Sequence, residues 1–414
     1  SEKFKTFKNK TKNVSVNIGT QTLDSEGKVT DLNALLGSSG SEGAVTGTLV
    51  SAGTNFLTAK NNFKITGSGH KITLNFGSVA ADAGPDVLTR LDSYIKDSNI
   101  TALNGTLTKV TSANAGSISK DSKSAFSVTL SEAVSAQNGS NIAGATSGTV
   151  DYAKGVEDKL SALATNTLSD DLKAIINKTN GVDVKLSDNK IIRTSDIAAT
   201  NKILDHVGSG SNKVGNITAT FEHNVKELSE LKTDNNDAIT FIAKDSASFT
   251  EVQTLLNKTS ESTIDFSAAG MNGTAAQFVG TGSAAVIAAD ADSLIDIGTS
   301  TNPASIISDL NTLASNGSHT GAISGKLVSS ILSNGTSALS SLKTNGSKDL
   351  IEIEAQVPSG QQFDLGAANG IAFAALLNKT AGKVTVTGNN SVVKGTALEV
   401  KALNTSSADN FQVQ

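Results

Sequence analysis

The stretch DADSLID carries Asp290, Asp292 and Asp296, three carboxylates close enough along the chain to surround one cation. Hard oxygen donors of this kind suit calcium, which takes about six to eight of them. TDNND offers a second set in Asp234, Asn235, Asn236 and Asp237. Asp and Asn also populate turns and helix caps, because their short side chains bond nearby backbone groups. Turn and cap chemistry is therefore the favoured reading of both stretches; no cofactor is expected, and calcium is the one candidate kept.

Enzyme chemistry finds little to work with. His70, His206, His223 and His319 are scattered, and no HExxH, C-x-x-C or GxSxG spacing occurs. His206 follows a helical pattern in KILDHVGSG, where a histidine near a helix C-terminus meets the negative end of the dipole. GSGSNKVG from Gly208 lacks the order of a phosphate-binding loop and reads as a turn. The pair Asp170 and Asp171 reads as first-turn helix charge rather than an acid–base couple. No catalytic residue is expected.

Charge narrows the partners. The net charge is -5, and Arg90 and Arg193 are the only arginines. Lysine is a poor substitute for the planar guanidinium fork that grips phosphate, so nucleic acid is not an expected partner. There is no Trp and only two Tyr, which leaves few amphipathic rings for stacking on sugars. No apolar run approaches the roughly 20 residues that span a bilayer, so no transmembrane segment is expected. The chain opens on a polar segment at Ser1 without the pattern of a signal peptide, so an export leader is expected to be removed or not needed. SEKFKTFKNKTK sets Lys3, Lys5, Lys8, Lys10 and Lys12 against one acid, a mobile terminus or an anchor for an anionic cell-surface polysaccharide.

NKT recurs at Asn177, Asn257 and Asn378. Each is a glycosylation sequon, and those three asparagines are candidate acceptors. With 36 Asn, 52 Ser and 45 Thr in 414 residues, chance gives about eight or nine sequons where 15 are present. Their position has a structural reading too. Each NKT begins where a helical stripe ends, the place where asparagine is second only to glycine in closing a helix with a left-handed residue.

Those stripes are apolar triplets at helical spacing: Leu172, Ile175 and Ile176; Val252, Leu255 and Leu256; Phe373, Leu376 and Leu377. Without NKT the same spacing appears at Leu32, Leu35 and Leu36, at Leu91, Tyr94 and Ile95, and at Val328, Ile331 and Leu332. Alternating stretches follow the NKT corners: GVDVKL, TIDF and KVTVTG. Helix starts are signalled by Ser248 with Glu251, by Ser169 before two aspartates, and by Asn302 before Pro303. Strand starts near Ile217, Ile239 and Ile264 lie too close together for free-standing domains.

The pattern predicts an α/β chain, a solenoid-like array of short strand-helix repeats with a predominantly parallel β core, more β-rich toward the N-terminus. Tandem β-sandwich-like domains with short helices are the alternative. The expected regions are a Lys-rich segment 1–12, a β-rich region 13–82, a strand/helix region 83–153, a repeat array 154–345 and C-terminal repeats and strands 346–414. NVSVNIG and SVVKGTALEVKALN are the expected terminal strands.

The absence of Cys rules out disulfides and thiolate metal sites. ITALNGTLTKVTSANAG, AFSVTLSEAVSAQNGSNIAGATSGTV and MNGTAAQFVGTG resemble the degenerate repeats of large secreted surface proteins of marine bacteria, S-layer-like and haemolysin-like chains. The glycine-rich calcium nonapeptide of the RTX class is absent. The resemblance implies an extracellular, cell-surface structural protein whose partners are copies of itself. An adhesin rod is the second expectation and a polysaccharide-degrading enzyme a remote third.

Overall fold

A computed structural model of the chain describes residues 14–37, 43–51, 56–57, 63–119, 123–207, 211–266, 269–330, 338–357, 362–388 and 392–414. It divides into two compact units, Ser1–Asn189 with Ala198–Ala219, and Lys190–Ile197 with Thr220–Gln414.

The first unit holds a six-stranded sheet laid down in chain order: β1 (Val16–Leu23), β2 (Val45–Ser51), β3 (Lys71–Ala80), β4 (Ile100–Val110), β5 (Ser127–Leu130) and β6 (Val150–Asp151). Beside it in sequence come β7 (Val156–Asp158), β8 (Val182–Leu186) and the start of β9 (Val214–His223). The second unit pairs β10 (Ala238–Ala243) with a later strand, β12 (Ile264–Asp265). Its six-stranded sheet begins at β11 (Ala247–Ser248), skips to β13 (Met271–Asn272), and continues through β14 (Ile295–Ser300), β15 (Ile323–Ser330) and β16 (Leu350–Gln356). After β17 (Phe363–Asp364), β18 (Val384–Thr387) closes that sheet, while β19 (Val392–Lys394) and β20 (Gln412–Val413) join β17 in a separate three-stranded sheet.

Every registered pair of these strands is parallel, as in Leu49↔Leu74↔Leu103 and Met271↔Ile295↔Ile323. A parallel neighbour cannot be reached by a tight hairpin, so crossover segments, many with short helices, link the strands. The chain is thus mixed α/β with parallel-strand sheets.

Alternation explains the core. In β3, Ile72, Leu74 and Phe76 point inward and are almost fully buried, while Lys71 and Ser78 are exposed. Helices cover the apolar edges with the predicted stripes: Leu172, Ile175 and Ile176 are all buried in Asp170–Lys178, as are Leu91, Tyr94 and Ile95 in Val87–Lys96. Phe373 and Leu376 are buried in Ala368–Leu376, where Phe373 stacks on Phe363 at 5.0 Å and meets Phe411 edge-on at 5.3 Å. The caps behave as expected too. Ser248 and Glu251 form a reciprocal capping box, the Ser169 hydroxyl accepts the Leu172 N–H, and Pro303 begins the helix Pro303–Ala314.

Two expectations are corrected. Val328 belongs to β15, not to a helix, because it pairs in parallel register opposite Glu354 of β16; Ile331 and Leu332 lie outside the described residues. The C-terminal SVVKGTALEVKALN is not one strand: Val392–Lys394 is β19, and Thr396 with Glu399 caps a short helix, Ala397–Lys401.

A further repeat becomes visible in the fold. In Asn17-Ile18-Gly19, Asn75-Phe76-Gly77 and Asp296-Ile297-Gly298 the first side chain accepts the glycine N–H, at 2.8, 3.0 and 2.9 Å. Each glycine takes a positive φ, and the strand register shifts at each of the three. These are β-bulges in which the asparagine or aspartate bonds the extra residue's backbone. A glycine of the next strand sits against each bulge. A Cβ on Gly47, Gly105 or Gly325 would lie 2.4–2.7 Å from the bulge's apolar side chain or glycine carbonyl.

Candidate functional site

The NKT corners have a different working residue from the one expected. None of the three asparagines is left-handed: Asn177 lies inside its helix, Asn257 is a right-handed C-cap with φ -76°, and Asn378 lies beyond the cap Leu377. Lys109 and Asn212 are the only non-glycine residues with positive φ among those described. At each corner the threonine instead ties the turn to an earlier strand.

Thr259 donates its hydroxyl to Ile239 O at 2.7 Å, and Thr380 donates to Ile351 O at 2.6 Å. Thr179 does the same to Val150 O at 2.6 Å. The two buried hydroxyls also accept from two residues on, Glu261 N–H and Gly382 N–H. Thr146 repeats the arrangement without an NKT, donating to Phe126 O and accepting Gly148 N–H. The sequon lysines take part: Lys178 donates its Nζ to Thr146 O and Lys258 to Leu231 O, and burial lowers the pKa of both ammonium groups. Asn177, Asn257 and Asn378 stay exposed, with the Asn378 Oδ1 accepting from the Asn404 amide.

Acidic residues serve a second set of corners. Backbone N–H groups opening one strand or helix are accepted by a carboxylate from a later segment: Ala136 by Asp158, Leu160 by Asp188, Val225 by Asp245, Ile323 by Asp349 and Val384 by Asp409. His70 and Asn99 take the same role, the His70 Nδ1 accepting Val45 N–H and Asn99 Oδ1 accepting His70 N–H. These bonds satisfy donors that the end of an element would otherwise leave unpaired.

The aspartates of the candidate calcium site divide between such tasks. Asp290 follows the helix Ser283–Ala289 and accepts Phe266 N–H at 2.7 Å. Burial and a hydrogen bond with the Asp292 carboxyl raise its pKa to about 6. Asp296, on β14, accepts Gly298 N–H in the bulge. Among the described residues no group of three His, Asp or Glu is placed to hold one metal ion. Asp290 and Asp292 are brought together; Asp296 is not grouped with them. In TDNND, Asp234 Oδ1 accepts from Asn236 and Asp237 Oδ2 accepts Asp234 N–H, the turn chemistry read from sequence.

The histidines do not converge. His206 follows the helix Thr194–Leu204 and receives Val214 N–H at its carbonyl. His319 is buried, with its Nε2 3.2 Å from Ser293 O; burial lowers its pKa, so the neutral ring donates to that carbonyl. Lys3, Lys5, Lys8, Lys10 and Lys12 lie outside the described residues.

Hydroxyl and amide side chains line up across the first sheet. Thr20, Thr48 and Thr73 stand in register on β1, β2 and β3, and Asn75 is opposite Asn104 on β4. β1 shows a long exposed stretch, with Asn17 and every residue from Gly19 to Thr22 at the surface. Among the described residues its one sheet neighbour is β2. No helix of the described residues is long and apolar enough to cross a membrane. No protein family, curated sequence or solved structure matches this chain.

Proposed function

We propose that this chain is a non-enzymatic structural protein of an extracellular assembly, associating with copies of itself into a surface layer or filament on a cell surface. Within each compact unit, the parallel strands and their crossovers are turns of a solenoid-like array. The observation that carries this reading is the use of polar side chains. Thr146, Thr259, Thr380 and the corner carboxylates bond the backbone of neighbouring segments instead of meeting in a cleft. Such a chain invests its chemistry in stacking.

A parallel stack leaves strand edges whose unpaired backbone groups template another chain. When a contact of this kind joins two different surfaces without closing, it propagates as a filament or lattice. β1 is the edge best suited to it. An extracellular setting would also make Asn177, Asn257 and Asn378 exposed sequon acceptors.

Sedimentation velocity across a wide concentration range, with and without calcium, paired with negative-stain imaging, tests the proposal. Ordered polymers that grow with concentration are expected. A chain that stays monomeric throughout overturns the reading.

A further inference from the structure

The second unit contains an open groove of about 740 Å³, within the size range of small-ligand sites. Its lining is unusual for such a site. Val279 is the apolar residue at its surface, above the fully buried Phe278, and the rest is Ser283, Ser308, Asn311, Thr312, Ser315, Asn316, Gly317 and one cation, Lys343. No carboxylate is among the lining residues.

Three features build it. Phe278 is fully buried and held edge-on to Phe249 at 5.4 Å, so the floor beneath Val279 is fixed. The helix Pro303–Ala314 supplies Ser308, Asn311 and Thr312 from successive turns, a spacing that puts them on one helical side. Asn311 then clamps the segment that carries the lysine: its Nδ2 donates to Ser341 O at 2.8 Å and its Oδ1 accepts Lys343 N–H at 2.7 Å. The exposed Lys343 is thereby held at the rim by its backbone while its ammonium stays available to a ligand.

We propose that this groove binds a carboxylate-bearing sugar residue of an acidic polysaccharide, with the carboxylate on Lys343 and the ring hydroxyls on the serine and threonine side chains. A uronic acid matches this lining: its one negative charge answers the ammonium, its hydroxyls answer the serine, threonine and asparagine side chains, and its ring edge can rest on Val279. A phosphate would call for more donors than one lysine, and a neutral sugar would leave the ammonium unanswered. Binding here requires no assembly of the chain, so it stands or falls separately from self-association.

Isothermal titration of the full chain with tetragalacturonate, galacturonate monomer and neutral maltotetraose tests the site. The acidic tetramer is expected to bind, and Lys343→Gln to weaken it about ten-fold, the loss expected when a charge-assisted bond is removed. Lys226→Gln, an exposed control in the same unit, is expected to bind as the parent does. Lys343 is exposed, so its variant keeps the fold, and matching circular dichroism and melting confirm that. No binding, equal affinity for maltotetraose, or unchanged affinity in Lys343→Gln overturns the proposal. Monomer binding as tight as tetramer overturns its assignment to a polymer.

Discussion

Thr259 and Ile239 exchange two hydrogen bonds through one hydroxyl: the Thr259 Oγ1 accepts Ile239 N–H at 2.9 Å and donates to Ile239 O at 2.7 Å. The side chain thus imitates a strand neighbour, completing the backbone of β10 from the helix-to-strand corner. Thr146, Thr179 and Thr380 likewise donate to Phe126 O, Val150 O and Ile351 O, so the hydroxyl acts as a rivet between a corner and a strand some 20 to 30 residues earlier.

Replacing Thr259 with Val keeps the shape and deletes the hydroxyl, leaving the Ile239 backbone groups without this partner in a buried site. The loss is expected to be about 1–3 kcal/mol, read as a lower urea midpoint. Thr259→Ser should fall near the parent. Asn257→Gln, at an exposed position, should change stability by no more than about 0.5 kcal/mol. A larger effect at Asn257 than at Thr259 would reverse the assignment of roles within NKT.

The bulges give a paired prediction. A Cβ on Gly325 would meet Ile297 Cγ1 at 2.4 Å, at φ +152°, whereas Gly298 has φ +69° and open space around it. Gly325→Ala is therefore expected to cost about 2–4 kcal/mol through clash and backbone strain. Gly298→Asn should cost about 1 kcal/mol or less, since asparagine tolerates the left-handed region. Thermal melting of both variants checks the order.

The helix stripes and the alternating strands were legible because burial acts on residues a few positions apart. Leu172, Ile175 and Ile176 announce a buried helix face wherever the fold places it. Val328 misled because a strand residue happened to fall at helical spacing from later apolar residues, and its strand partner, Glu354 on β16, lies 26 residues away in sequence, beyond the reach of a local pattern. The working threonine of NKT was hidden for a related reason: its partners, Ile239 and Ile351, lie roughly 20–30 residues earlier. The bulges could have been found, since NIGT, NFGS and DIGT are each followed some 28 residues later by a glycine in TGT, NGT or SGK. The groove at Lys343 had no local signal, as the lysine reaches it through Asn311, about 30 residues away.

Two groups of the second unit predict opposite pH slopes. Asp290 has a folded pKa of about 6, above its ordinary 3.8, so the folded state holds the proton more tightly and stability falls as pH rises through that window. Asp290→Asn keeps an oxygen for Phe266 N–H and removes the charge. It should stabilise the protein at pH 7.5 by about 1 kcal/mol, a figure discounted for the side chain's partial exposure, and the gain should vanish near pH 4. His319 has a folded pKa below 6.5, so its contribution is present above that pH and is lost as the pH falls below it. His319→Asn should flatten the slope around pH 6. Melting curves of the parent and both variants between pH 4 and 8 separate the two effects.

β1 can be tested directly as the joining edge. Thr20 and Thr22 lie on its exposed stretch, and in register Thr20 faces Thr48 and Thr22 faces Val50. Lysines on an edge strand oppose pairing with another chain, because the approach of a second backbone would have to strip water from the charge. Thr20→Lys with Thr22→Lys should raise the concentration at which polymers form by about ten-fold, some 1.4 kcal/mol per contact, while melting temperature changes little because neither side chain is in the core. High salt should restore part of the assembly by screening the new charges. Lysines on the exposed helix residues Ala284 and Ala288 serve as the charge-matched control. If the control blocks polymers as effectively as the β1 pair, the contact is a matter of net charge and β1 is not the joining edge; if neither does, another surface joins the copies.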